Sequence, residues 1–148
     1  MHLQCNTPLQ STRVFYESAR TLKSGGYLFI YTRLREQNMV NIWGQYFPKF
    51  HQKETRLYTL HTLAQSVATV PNLRIKSIKY FEYRRKSSLA QLVERARAHH
   101  YSTFSFYSSE ELEEAIAVFT QKIMNDFKDA YRIHWYDEYS LFIIRKES

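Results

Sequence analysis

A short polar run, His99-His100-Tyr101-Ser102-Thr103, holds the residues of this chain that are best suited to chemistry. Histidine can act as a base near neutral pH, where its charge changes with small changes in its surroundings. The structural alternative is a polar turn between two helices, with Ser108 as the cap of the second. The run predicts one or the other: a segment that contacts a ligand or a solvated interhelical turn.

A set of aromatic residues precedes that run and could stack on a flat ligand such as a nucleobase or a quinone-like ring. Its members are Trp43, Tyr46, Phe47, Phe50 and Tyr58. Aromatic side chains are also common in hydrophobic cores, so the same set could serve packing instead.

Two other kinds of site lack the residues they need. His51 and His61 are ten positions apart, and no His-Glu-x-x-His or cysteine cluster accompanies them, which argues against a metal site. Cys5 is the single cysteine, so it can form no internal disulfide. It has no evident activating partner, and no Gly-x-Ser-x-Gly elbow is present, which argues against nucleophilic catalysis.

The formal charge is +7, from 21 Lys and Arg against 14 Asp and Glu. Such a charge favours acidic partners, including nucleic acid. The densest basic run is Arg84-Arg85-Lys86, followed by Arg95 and Arg97 on a predicted helix. Because the other basic residues are spread through several segments, solvated faces are the favoured explanation of the charge.

The elements that must position these residues read as one α/β domain. A helical pattern from Gln10 to Leu22 stops at Gly25-Gly26, and the unbroken apolar run Tyr27–Thr32 predicts a strand covered on both faces. Residues 36–47 predict a short helix, and Thr59 predicts the cap of another.

The second half of the chain continues the pattern. Arg74 to Tyr83 carries charges at a density typical of an edge strand. Ser87 or Ser88 begins a helix, and Ser108 with Glu111 predicts a capping box before a longer one. Ser140 to Arg145 contains a second apolar run and predicts a second buried strand.

One segment resembles a known family. Residues 20–30, Arg-Thr-Leu-Lys-Ser-Gly-Gly-Tyr-Leu-Phe-Ile, look like the "R-x-L-K-P-G-G" segment before the fifth strand of class I S-adenosylmethionine-dependent methyltransferases of the type 11-like kind, with Ser24 where proline is commonest. Residues 46–48, 101–104 and 109–112 resemble a branch that modifies small molecules or RNA.

The resemblance implies a fold and an extent. Members of the family order their seven strands 3-2-1-4-5-7-6, with the seventh antiparallel. Residues 1–148 would then be a single domain, the C-terminal portion of a methyltransferase domain: a partial Rossmann-like α/β fold with a three-stranded mixed sheet of strands five, seven and six. Helices from 87 to 130 would form a two-helix lid insertion.

The resemblance also implies which functional parts to expect. S-adenosylmethionine is the cofactor of the family, but the three glycines at 25, 26 and 44 form no glycine-rich cofactor loop, so we expect a truncated chain that binds no cofactor and is inactive alone. His2 matches a position near the reaction centre, although it stands at the chain start. The residues expected to bind the acceptor substrate are His99, His100, Tyr101, Ser102, Thr103, Trp43 and Tyr46.

Three further expectations concern partners and location. In the family the fourth strand would pair with Tyr27–Thr32, so an open edge there predicts a homodimer. No run is long enough to cross a membrane, and we expect a cytoplasmic protein. The alternative function is a stand-alone basic module that binds RNA or a protein partner through Arg84, Arg85, Lys86, Arg95 and Arg97.

Overall fold

A computed structural model describes the backbone of residues 8–148 and the side chains of residues 12–148. His2 and Cys5 lie outside the described residues. The helices are α1 (Pro8–Thr21), α2 (Arg35–Asn38), α3 (Ile42–Tyr46), α4 (Phe50–Lys53), α5 (Leu60–Ala68), α6 (Leu89–Arg97) and α7 (Ser109–Asp126), with a 3₁₀ helix at Ser102–Phe106. The strands are β1 (Tyr27–Thr32), β2 (Leu73–Ser87) and β3 (Ile133–Lys146). No helix among them is both long and apolar enough to span a bilayer.

The strands form one open, antiparallel sheet in the order β1-β3-β2. β3 comes last in the chain but lies in the middle, and it pairs with β1 from Tyr27 opposite Arg145 to Thr32 opposite Ser140. This arrangement confirms the predicted α/β fold, in which the last strand separates the other two. The sheet is antiparallel, whereas a mixed sheet was expected. It also places the charged strand β2 at an edge, as its sequence predicts.

Contacts divide the chain into two compact units, each with its own core. The first unit comprises the residues up to Gln37 together with Thr55–Glu82 and Glu138–Ser148. Helices α1 and α5 pack together there. Their buried side chains, with those of the strands, form a core rich in aliphatic residues: Phe15, Ala19, Ile30, Leu34, Tyr58, Leu63, Val67, Val70, Leu73, Phe142 and Ile144.

The turn before β1 depends on glycine. Gly25 has a φ of 80°, a left-handed conformation that a side chain makes unfavourable. Its N–H donates to the Lys146 carbonyl, and the Lys146 N–H donates to Gly26. The glycine pair therefore lies in the turn between α1, which ends at Thr21, and β1, and its hydrogen bonds with Lys146 join the start of β1 to the end of β3.

The second unit comprises Asn38–Glu54 and Tyr83–Asp137. Helices α6 and α7 contact each other, and α3 contacts both α4 and α7. Aromatic rings fill much of its core, which contains Ile42, Trp43, Phe47, Phe50, Leu92, Ala96, Phe104, Tyr107, Leu112, Ala115, Ile116, Phe119, Ile123 and Ile133.

Three details differ from the sequence-based expectations. The single short helix expected over residues 36–47 is two helices, α2 and α3, separated by Met39, Val40 and the N-cap Asn41. Both β2 and β3 are longer than predicted. The Ser108 side chain accepts the Glu111 N–H as expected, but the complete capping box lies at Ser88 and Gln91.

Candidate functional site

The second unit contains a half-open cavity of about 400 Å³. Its volume falls within the range of about 300–1,000 Å³ that is usual for small-molecule sites. Its walls combine three cationic side chains with aromatic rings, a histidine and a single carboxylate: Trp43, Arg85, Lys86, Arg95, His100, Tyr101, Trp135 and Asp137. We call this cavity the basic pocket.

Asp137 anchors two of the side chains that line the basic pocket. One carboxylate oxygen accepts the Arg85 Nε–H at 3.0 Å, and the other accepts the Trp135 indole N–H at 3.1 Å. Asp137 is only 5% exposed, whereas the Arg85 side chain is 48% exposed. A buried carboxylate therefore holds a guanidinium group and an indole ring in fixed orientations at the wall of the cavity.

The C-terminus of α6 brings His100 back toward Arg95. His99 adopts a left-handed conformation with a φ of 52°. The His99 N–H donates to the Ala96 carbonyl at 3.1 Å, and the His100 N–H donates to the Arg95 carbonyl at 2.9 Å. These two bonds form a Schellman motif, the usual end of a helix, in which glycine commonly occupies the position of His99. The motif gives His99 a capping role and places His100 at the pocket.

The charges of the basic pocket do not cancel. Asp137 pairs with Arg85, but within the part of the chain that the structure describes, neither Lys86 nor Arg95 forms an ion pair. Lys86 is exposed and Arg95 is half-buried. Two uncompensated cations at one cavity favour an anionic ligand.

The aromatic residues that line the basic pocket differ in how much of their rings a ligand can contact. Trp43 is 3% exposed, and its ring stacks on Phe119 with centroids 5.2 Å apart, so most of its surface belongs to the core. Tyr101 and Trp135 are half-buried and leave part of their rings accessible. These two rings are therefore the available contacts for a flat ligand.

The expected acceptor-binding residues divide into two groups. Trp43, His100 and Tyr101 line the basic pocket, while His99 forms the helix cap. Ser102 is exposed at the start of the 3₁₀ helix, and Thr103 is buried with its hydroxyl donating to Glu54 at 2.6 Å. Tyr46 packs against Phe127, and burial together with Asp126 raises its pKa. The structure thus brings three of the seven to one cavity.

The larger aromatic set is mainly core. Phe47 and Phe50 are 3% and 2% exposed, and Tyr58 is 7% exposed in the first unit. Phe47 and Phe50 pack edge to face. The packing interpretation is therefore correct for these three rings, and none of them is an accessible stacking platform.

Sequence reasoning missed Trp135 and Asp137 as site residues. A usable signal was present, because Trp135 and Asp137 alternate along β3 and therefore share one face of it. Arg85, Lys86 and Arg95 were expected to bind only in the alternative basic module, together with Arg84 and Arg97, since charge alone does not distinguish a pocket wall from a solvated face.

Lys53 connects the segments around the 3₁₀ helix. Its Nζ lies 2.9 Å from Glu111 and 3.1 Å from the Phe106 carbonyl, and 4.7 Å from the centre of the Tyr107 ring. A hydrogen bond from Lys53 lowers the pKa of the Glu111 carboxyl. These contacts fix the 3₁₀ helix, which follows His100 and Tyr101, against α4 and α7.

The chain's glycines do not fit a nucleotide-type cofactor. Gly25 and Gly26 precede a strand, whereas a cofactor loop follows one. Gly44 lies in α3, where the Asn38 carbonyl oxygen and the Met39 backbone occupy the place of a Cβ, so the missing side chain leaves no space there for a ligand. Among the described residues no group of three or more His, Cys, Asp or Glu side chains could hold a metal ion.

The sequence matches no protein-family model. It also matches no curated protein. Among solved structures, a Bacillus halodurans protein with a provisional methyltransferase assignment superposes with a TM-score of 0.53 and 14% identity over 93% of this chain. The chain has a methyltransferase-like fold. It spans 63% of the length of the Bacillus halodurans protein, and at this identity the likeness establishes the fold alone.

Two looser likenesses have TM-scores below 0.5 and support no inference. The cyclopropane synthase MmaA2 of Mycobacterium tuberculosis has a TM-score of 0.40 and 16% identity, covering 94% of this chain and 50% of that one. A phosphoethanolamine N-methyltransferase of Haemonchus contortus, solved with phosphomonomethylethanolamine and S-adenosylhomocysteine, has a TM-score of 0.38 and 14% identity, covering 93% and 30%.

Proposed function

We propose that this chain is the C-terminal, acceptor-binding part of an S-adenosylmethionine-dependent methyltransferase. The observation that carries the proposal is the sheet order β1-β3-β2, with the last strand between the other two in a methyltransferase-like fold. These strands correspond to the fifth, seventh and sixth of the family. The chain's coverage of 63% of the Bacillus halodurans protein is consistent with a part of such a domain.

The basic pocket is the proposed acceptor site. Its fixed Trp135 and Arg85 side chains and its accessible Tyr101 ring would orient an acceptor. His100 is the residue at the pocket wall suited to remove a proton from the acceptor. S-adenosylmethionine would supply the methyl group, and residues outside this chain would hold it, because the glycines here do not fit it.

Two measurements test this function. Isothermal titration of S-adenosylhomocysteine into the purified chain is expected to give no saturable heat, and saturable binding would contradict the assignment of the cofactor site to other residues.

The tagged chain, isolated with its partners from the cells that make it, is expected to transfer label from S-adenosylmethionine to an acceptor. The His100→Ala variant is expected to transfer at least about 100-fold less, the low end of the range for a general base. The matched variant His134→Ala changes an exposed histidine outside the pocket. No transfer by any of the three preparations would overturn the function.

A homodimer through β1 is a second part of the proposal. Among residues 8–148, no strand pairs with the outer side of β1. Tyr27, Phe29 and Tyr31 alternate along it and are 48%, 53% and 38% exposed. These three side chains share one face of the sheet, and an unpaired strand with an exposed apolar face tends to associate with another chain.

Light scattering on the purified chain tests the dimer. We expect a two-fold dimer that dissociates in Phe29→Lys, because a charge on an edge strand opposes pairing. Tyr131→Lys is the control, since Tyr131 is 84% exposed and lies outside the sheet. A monomeric wild type would contradict this part of the proposal.

A further inference from the structure

The basic pocket has a composition that specifies the class of its ligand. We infer that it takes a small aromatic anion, a flat ring that carries a phosphate or carboxylate group. This inference rests on the proposed function, because it names the chemical class of the acceptor.

Charge supplies the first part of the argument. Arg85, Lys86 and Arg95 contribute three positive charges and Asp137 one negative charge, so these four residues give the lining a net charge of +2. Guanidinium groups bind phosphate and carboxylate through two parallel hydrogen bonds, and lysine adds a point charge.

The rings supply the second part. Trp135 and Tyr101 are half-buried at the cavity, and the Asp137 carboxylate fixes the Trp135 indole. The ring of His100 lies 5.0 Å from that of Tyr101, edge to face. Fixed aromatic walls favour a flat ligand because little side-chain freedom is lost when it binds.

Size supplies the third part. A volume of about 400 Å³ accommodates one substituted ring system and excludes most of a polymer. The pocket thus fits a small molecule better than a strand of RNA, which would need a groove that follows several phosphates.

The chain contains its own reporter for this site. Its two tryptophans, Trp43 and Trp135, both line the basic pocket, so intrinsic tryptophan fluorescence responds to this cavity. The measurement needs no methyl donor. A failure of ligand binding is therefore distinguishable from a failure of methyl transfer.

The experiment titrates phenyl phosphate, benzoate and benzyl alcohol into the full chain while tryptophan fluorescence is recorded. Phenyl phosphate or benzoate is expected to change the emission saturably, and benzyl alcohol is expected to bind at least about tenfold more weakly, because it lacks the charge. Whichever anion binds more tightly shows whether the ligand of the pocket carries a phosphate or a carboxylate group. Added salt is expected to weaken anion binding.

Charge-removing variants complete the test. Arg95→Gln and Lys86→Gln are each expected to raise the dissociation constant of the anion about tenfold. Arg84→Gln removes the same charge from the neighbouring strand position, outside the pocket lining. It should change the dissociation constant of the anion by less than about twofold. Circular dichroism establishes that each variant is folded. Equal binding of benzyl alcohol, no binding by any probe, or an equal effect of Arg84→Gln would overturn the inference. So would tighter binding of a single-stranded oligonucleotide than of either aromatic anion.

Discussion

The two units stabilise themselves with different side chains. In the first, aliphatic residues of α1, α5 and the strands form most of the core, with Phe15, Tyr58 and Phe142 among them. In the second, Trp43 packs against Phe47, Phe104 and Phe119 with ring centroids 5.1–5.8 Å apart. The aromatic cluster uses directional ring contacts, whereas the aliphatic core depends mainly on removing surface from water. The abundance of aromatic residues in the second unit therefore indicates packing, and only Tyr101 and Trp135 leave rings accessible at the proposed acceptor site.

The strongest test of this contrast replaces one buried phenylalanine in each core. Phe104 and Phe142 are both 0% exposed, and each change to alanine is expected to lower the free energy of unfolding by about 3–5 kcal/mol. Phe104 also lies within 5.3 Å of the rings of Trp43, Phe47 and Phe50. We expect Phe104→Ala to be the more destabilising by about 1 kcal/mol. Unfolding in urea, monitored by hydrogen exchange, measures the free energy of unfolding of both variants. Equal losses of stability in the two would contradict a special role for ring contacts.

A smaller effect is expected from the polar anchor of the second unit. Asp137→Ala leaves the Arg85 guanidinium and the Trp135 indole N–H without the carboxylate that each binds. We expect a loss of about 1–2 kcal/mol, near the low end for a charged hydrogen bond because Arg85 is half exposed. Tryptophan emission should shift as Trp135 reorients. Glu138→Ala, at the adjacent half-buried carboxylate, is the matched comparison and should leave the emission unchanged.

Removing the cap of α7 is expected to have a still smaller effect on the free energy of unfolding, about 1 kcal/mol. The Ser108 side chain accepts the Glu111 N–H at 3.1 Å and caps α7, whereas Ser109 is the first residue of the helix. Ser108→Ala should therefore cost about 1 kcal/mol. Ser109→Ala should change stability by less than about 0.5 kcal/mol, as for most surface substitutions. Thermal unfolding of the two variants checks this, and equal midpoints would argue against the cap.

The smallest expected effect on stability comes from surface ion pairs, of which one in each unit is compared. Lys53 lowers the pKa of Glu111 in the second unit, and Lys76 lowers that of Glu147 in the first, from an ordinary value of 4.5. Because the folded pKa values lie below the unfolded ones, each pair stabilises fully above about pH 4.5. That contribution is lost as the pH falls through the folded value. Unfolding measured from pH 7 to pH 2 should show a shallower acid dependence in Glu111→Gln and in Glu147→Gln. An unchanged dependence in either would mean that its ion pair does not persist in solution.

The sequence predicts the first unit better than the second for a physical reason. Unbroken apolar runs identify β1 and the buried part of β3 as strands. The expectation that β1 is covered on both faces is wrong for the described residues, because Tyr27, Phe29 and Tyr31 on one face are exposed. The start of β3, His134 to Asp137, mixes a carboxylate with aromatic rings, and only its pairing with neighbouring strands makes it a strand. The same tertiary dependence concealed the role of Asp137.

The candidate site shows a similar limit. The polar run at residues 99–103 contains His100 and Tyr101, which line the basic pocket. It did not separate these two from His99, whose role depends on its left-handed backbone, or from Thr103, whose hydroxyl bonds the buried Glu54. The sequence also could not exclude Phe47 and Phe50 as stacking platforms for a ligand, because their burial depends on neighbours that are distant in the sequence.

The close packing at Gly44 restricts how this protein can vary. Any side chain at position 44 would collide with the Asn38 carbonyl oxygen and the Met39 backbone, and the Gly44 N–H is already bound by the Asn41 side chain at 2.7 Å. Random mutagenesis with selection for folded protein should therefore recover almost only glycine there. In distant relatives that preserve the second unit, an asparagine three positions before an invariant glycine would be a more dependable marker of descent than the glycine pair at positions 25 and 26, which many helix-to-strand turns share.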